Sequence, residues 1–147
     1  MTVSGADLER FVEAQSAVYD DVRRELAAGR KTSHWIWFVF PQLAGLGASP
    51  TARRFAIVSL GEAQDYLHHP TLGRRLEECT RLVNAVQGRT AHEIFGYPDD
   101  LKFRSSMTLF AEASGHAEPF RTALRKYFAG EPDPRTLELL QRGTRTD

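Results

Sequence analysis

An imidazole flanked by two indoles stands at His34, Trp35 and Trp37, with Arg30 and Lys31 just before it and Gln42 just after. A histidine can shift a proton while a neighbouring indole face stacks a planar ring. Arg30 and Lys31 can hold a phosphate or carboxylate, and the Gln42 amide can orient a ligand. Each residue also has a purely structural reading. His34 can donate from the core to a backbone carbonyl, the indoles can be packing, and Gln42 can tie down its loop. The two cations can answer the negative end of a preceding helix. Phase along the segment assigns Trp37 to the core and Trp35 to a pocket wall.

A second group of polar residues follows at Asp99, Asp100, Lys102, Ser105 and Ser106. Asp99 reads as a helix cap, which leaves Asp100 as a spare carboxylate for acid–base work and Lys102 about a half-turn away. The serines interrupt an apolar face and allow close helix contact or a bond to the turn before. Ser106, His34 and Asp100 spell a Ser/His/Asp set, but no nucleophile-elbow sequence supports it. The expected site is therefore His34 and Asp100 as catalytic groups, with Lys31, Trp35, Gln42, Lys102 and Ser106 binding the ligand.

No metal is expected. His68, His69 and His92 lack ligand spacing, since adjacent histidines on a helix point about 100° apart. The solitary Cys79 excludes an internal disulfide and a multi-thiolate centre. It sits on an apolar face and reads as a small hydrophobe. No cofactor is expected either, because Gly45-Leu-Gly47 lacks the third glycine of a dinucleotide fingerprint. His68, His69 and the arginine pairs 53–54 and 74–75 read as solvated.

A length of 147 residues suggests one domain, 1–147, ordered over about 7–141 with a frayed tail at 143–147. A formal net charge of zero argues against a general nucleic-acid or anionic-membrane surface. No apolar run is long enough to span a bilayer and no basic-then-apolar leader is visible, so a cytoplasmic protein is expected.

The elements that must position these groups read as helices. Asp7 can cap a helix carrying Leu8, Phe11 and Val12, and the pattern resumes at Val18, Val22 and Leu26 until Gly29. The span 8–28 is one helix or two broken near Ser16. The aromatic run 34–40 is continuous rather than alternating and has no partner strand, so it is a short helix or an extended buried segment ended by Pro41. Ser49-Pro50, Ser59 with Glu62, Thr90 with Glu93, and Asp133-Pro134 are cap signals. Further helices carry Leu72 to Val86, Phe103 to Ala111 and Phe120 to Phe128. The sum is an all-α domain of seven or eight short helices around one core.

Three segments, His34-Trp-Ile-Trp-Phe-Val-Phe-Pro-Gln42, Leu60-Gly-Glu-Ala-Gln-Asp-Tyr-Leu67 and Asp99-Asp-Leu-Lys-Phe-Arg-Ser-Ser-Met-Thr-Leu-Phe110, resemble the domain of unknown function 1810 family over roughly residues 7–140. The resemblance implies a bacterial, mostly helical protein and assigns no catalytic residue. Some members carry the label calpastatin, the name of a disordered repeat inhibitor that a compact helical pattern does not match. Tyr66-Leu-His-His-Pro-Thr-Leu72, Glu93-Ile-Phe-Gly-Tyr-Pro-Asp-Asp100 and Ser106-Met-Thr-Leu109 look partly like the NADAR (YbiA-like) family. That likeness implies an N-glycosidase acting on ADP-ribosylated or related nucleotides. The Glu-His pair typical of its N-terminal motif is absent here.

Two functions are thus expected from the residues. One is a small-ligand-binding protein or hydrolase-like enzyme whose cleft takes a planar polar, nucleotide-derived molecule. The other is a non-catalytic helical interaction module in which the aromatic run is only core.

Overall fold

The computed structural model describes residues 3–145, with side chains for residues 8–143. Among the described residues ten helices follow one another: α1 (Val3–Ser16), α2 (Tyr19–Ala27), α3 (Ile36–Val39), α4 (Pro50–Arg54), α5 (Leu60–His68), α6 (Leu72–Ala85), α7 (Ala91–Phe95), α8 (Asp99–Ala113), α9 (Phe120–Phe128) and α10 (Pro134–Arg145). The all-α class holds. The count exceeds the expected seven or eight because 8–28 is broken after Ser16 and the single turns α3, α4 and α7 stand separately. None of these helices is long and apolar enough to cross a membrane.

Local sequence explains most of the boundaries. Gly29 ends the α2 region at φ +75°, where a Cβ would be strained. The Ser49 hydroxyl accepts from the Ala52 amide at 3.1 Å, with Pro50 opening α4. Thr90 and Glu93 form a full reciprocal capping box on α7. At α5 the box is modified: Ser59 accepts from the Glu62 amide, but the Glu62 carboxylate reaches one residue further back, to the Val58 amide at 2.9 Å.

Two expectations about helix caps are corrected. Asp7 lies inside α1, which begins at Val3, and its side chain is outside the described ones. Asp99 is the first residue of α8 rather than its cap, since Pro98 occupies the cap position. The last helix runs to Arg145, and residues 146–147 lie outside the described residues.

Helix α8 organises the core. From Phe103 to Ala111 every residue except Arg104 is buried, so this helix is enclosed on nearly all sides. α9 lays Phe120, Ala123 and Leu124 inward, and α5 contributes Ala63 and Tyr66. Rings link the layers. Phe103 meets Phe40 edge-on at 4.9 Å and stacks on Phe95 at 4.6 Å, while Tyr66 lies 5.2 Å from both Phe11 and Phe110. Each fully buried ring contributes roughly 1.5–3 kcal/mol. α10 is anchored through Asp133, whose carboxylate accepts from the Ser105 hydroxyl and from the amide and hydroxyl of Thr136.

The residues before α4 and α5 complete the frame. A lone parallel bridge pairs Leu43 with Ile57: the Ile57 amide donates to the Gln42 carbonyl at 2.9 Å and the Ala44 amide to the Ile57 carbonyl at 2.7 Å. The buried Gln15 amide donates to the Phe38 carbonyl at 2.6 Å and the Tyr66 hydroxyl at 2.9 Å, tying α1 to α3 and α5. Between α5 and α6 the chain turns within a few residues. A Cβ on Gly73 would stand 2.1 Å from the Leu67 carbonyl oxygen, which is backbone and cannot swing away. Gly73→Ala is therefore expected to cost about 1–3 kcal/mol through overpacking, measured by urea unfolding; stability equal to the parent's would show that the turn has slack.

Candidate functional site

The loop between α2 and α3 is held by a carboxylate that the sequence reading passed over. Glu25 is 7% exposed and lies on the buried face of α2. One of its oxygens accepts from the amides of Thr32 (2.8 Å) and Ser33 (3.0 Å) and from the Trp35 indole N–H (2.9 Å). The other accepts from the Ser33 hydroxyl at 2.6 Å. Burial alone would raise the carboxyl, but these four donors outweigh it and hold the group down, from 4.5 to about 2. A signal was present in the sequence: Glu25 stands three residues after Val22, on the stripe that otherwise carries Val22 and Leu26.

Glu25 decides the roles of the indoles, in the reverse of the expected order. Trp35 is 1% exposed, its N–H is engaged, and it belongs to the core. Trp37, expected to be core, is half-buried, and among the described residues its N–H has no protein acceptor. His34 is exposed and its ring has no partner among the described residues, so the core-histidine reading does not hold.

The start of α8 comes against this loop. The Lys31 amide donates to the Ile94 carbonyl at 2.7 Å, which lays the loop beside α7. The Lys31 side chain is 6% exposed. Its ammonium lies 2.8 Å from the Asp99 carboxylate and 5.1 Å from the Trp35 ring centre. Lys102 reaches the same carboxylate only at 3.8 Å, and its ammonium stands 4.9 Å above the Trp37 ring. Asp100 lies 3.5 Å from the His92 ring.

The structure thus gathers Lys31, Trp35, Trp37, Asp99 and Lys102 into one cluster, with His34 exposed on the adjoining loop. Gln42 is used through its main chain at the bridge to Ile57, and its amide has no partner among the described residues. Ser106 is fully buried and its hydroxyl has no partner, whereas His34 is exposed, so no Ser–His nucleophile pair is formed. Ser105 does bond the turn before it, to the Leu101 carbonyl at 3.1 Å.

Two other candidates resolve into structure. His69, read as solvated, braces the turn between α5 and α6: its Nδ1 accepts from the amides of Thr71 (3.1 Å) and Leu72 (3.2 Å). Its Nε2 faces Glu9 at 3.4 Å. Cys79 is fully buried, and burial pushes its thiol up to about 12, which leaves no thiolate nucleophile. No group of three His, Cys, Asp or Glu side chains among the described residues is placed to hold a metal ion.

Comparison with known proteins gives two matches. A family model described as a protein of unknown function, DUF1810, matches residues 5–140. Among solved structures, the chain is similar to a conserved hypothetical protein from Mycobacterium tuberculosis, solved in the crystal at 1.38 Å. The identity is 61%, covering 92% of this chain and 96% of that one, with a TM-score of 0.91. No curated protein matches.

Removing the Glu25 charge tests the loop clamp. Because the folded carboxyl titrates below its unfolded counterpart, its contribution is complete above about pH 5 and drains away as pH falls from about 4.5 towards about 2. Glu25→Gln is expected to cost about 1–3 kcal/mol at pH 7. The gap between variant and parent should narrow by pH 3 in urea titrations. A gap that stays constant between the two pH values would rule out the charged form as the clamp.

Proposed function

Because the chain belongs to the DUF1810 family, whose description names no activity, we propose its function from the cluster at the start of α8: it binds a small, planar molecule rich in hydrogen-bond acceptors. One observation carries this reading. Among the described residues, Lys102 and Trp37 keep donors that no acceptor meets within hydrogen-bond distance. Lys102 is 25% exposed and carries three N–H donors, yet its one carboxylate neighbour is 3.8 Å away and more closely engaged by Lys31. The Trp37 N–H beneath it is likewise unfilled among the described residues. Trp35 and Lys31 in the same cluster are satisfied, so the open donors are a local property and not a general looseness of packing.

The division of labour follows. Trp35, Glu25 and Lys31 fix the loop. Trp37 offers an edge and an N–H, and Lys102 a positive charge over the ring. The exposed imidazole of His34 and the carboxylate of Asp100, placed against His92, are the groups able to exchange a proton with a bound molecule. A nucleotide-derived ligand combines the flat ring and the acceptor oxygens that such donors call for.

A thermal-shift series with nucleotides, nicotinamide dinucleotides and ADP-ribose tests the reading. At least one should raise the melting temperature in a saturable way. Lys102→Met and Trp37→Phe should each remove most of that rise while melting within a few degrees of the parent when ligand-free. A rise of the same size in both variants, or none with any compound, would overturn the proposal.

A further inference from the structure

The opposite end of α8 opens into a separate recess of about 590 Å³, bordered by α5, α6 and the turn after α8. This volume lies within the range of small-molecule sites, roughly 300–1,000 Å³. Its polar side chains come from three helices and the turn: Gln64 and His68 from α5, Glu77 from α6, Glu112 from α8, and His116 beyond it. Gln64, His68, Glu112 and His116 have no side-chain hydrogen bond or ion pair among the described residues. Glu77 is engaged only loosely, with Arg81 at 3.9 Å.

The backbone adds acceptors on the same side. α8 ends without a left-handed reversal: Ser114 is extended, and only the Phe110 carbonyl of the last turn receives an amide, that of Ser114. The amides of His116 and Ala117 donate to the Ser114 hydroxyl at 3.2 and 2.9 Å rather than back to the helix. Among the described residues the carbonyls of Ala111, Glu112 and Ala113 receive no amide, and they carry the negative end of a largely buried 15-residue helix. Glu77, Glu112 and Gln64 border this recess at the end of α8, and neither lysine nor arginine lines it, although Arg81 lies 3.9 Å from the Glu77 carboxylate.

We propose that this recess binds an organic cation bearing primary ammonium or guanidinium groups, held by Glu112, Glu77 and the terminal carbonyls of α8. The donor-to-acceptor match is the reason. An ammonium supplies three N–H donors and a positive charge, and the lining supplies acceptors and negative charge in surplus. A bare metal ion fits less well, because no three of the lining His and Glu side chains are placed to hold one. The two imidazoles stand beside the carboxylates as walls able to accept a hydrogen bond or to stack on a planar guanidinium.

Isothermal titration of the full chain with spermidine and with agmatine, at 20 and 150 mM salt, tests the assignment. One site per chain should saturate at the lower salt with at least one probe and survive, weakened, at the higher. Glu112→Gln should lower the affinity about tenfold or more, and Glu112→Gln with Glu77→Gln should abolish binding. Both positions are partly or fully exposed, so both variants should keep the parent's circular dichroism and melting point. Lys102→Met, at the other end of α8, should leave the affinity unchanged, which separates this site from the one proposed above. Amide shifts in NMR should change at residues 64–68 and 112–116. Failure of both probes to saturate, an affinity indifferent to Glu112→Gln, or shifts scattered over the acidic surface would each overturn the assignment.

Discussion

A carboxylate taken out of water must be met by donors or give up its charge, and Glu25 shows how much structure one such requirement can set. Its two oxygens collect two amides, a hydroxyl and an indole N–H within the stretch 32–35. That fixes the path of the chain out of α2 and points Trp35 inward. Once Trp35 is turned in, the single turn of α3 has little freedom. Phe40 comes to rest against Phe103, and Trp37 is left at the boundary with solvent. The position of the Lys31 ammonium, between the Asp99 carboxylate and the Trp35 ring, follows from the same placement.

The helical architecture could be read from the sequence because its signals are local. A short hydroxyl or carboxylate three residues ahead of an amide is a fixed geometry, and Ser49, Ser59, Thr90 and Asp133 all keep it. What escaped was decided across chain reversals. Glu25 reaches donors seven to ten residues on, beyond the turn at Gly29, so helix spacing marks its burial but not its partners. The order of the indoles departs from the expected one for the same reason. Phase along a one-turn helix says little about which side faces the core, and the carboxylate that settles it lies on another element. His69 reads as solvated because it stands beside Pro70 at a turn, and the amides of Thr71 and Leu72 that its ring accepts from come back to it only once that turn is made.

The expected site residues divide along lines that only coordinates reveal. Lys31, Trp35 and Lys102 meet at one place, and His34 sits beside them on the same loop. Gln42 serves through its main chain, and Ser106 is enclosed within the layer between helices. Residue type alone cannot distinguish a satisfied lysine from an open one. Lys31 and Lys102 share a carboxylate, yet a difference of 1.0 Å in reach makes one a structural tie and leaves the other with donors to spare.

Helix α8 passes through the interior with little exposed along most of its length, so its influence on the surroundings is concentrated where it begins and where it stops. Fifteen residues at about 1.5 Å each separate those two places by about 22 Å. The Lys31 and Lys102 ammonium groups lie at the start beside the Asp99 carboxylate, and Glu112 lies at the finish. The peptide units between them all point the same way. The rod therefore keeps two unlike ends about a helix length apart, so that at physiological salt a change of charge at one is largely screened from the other.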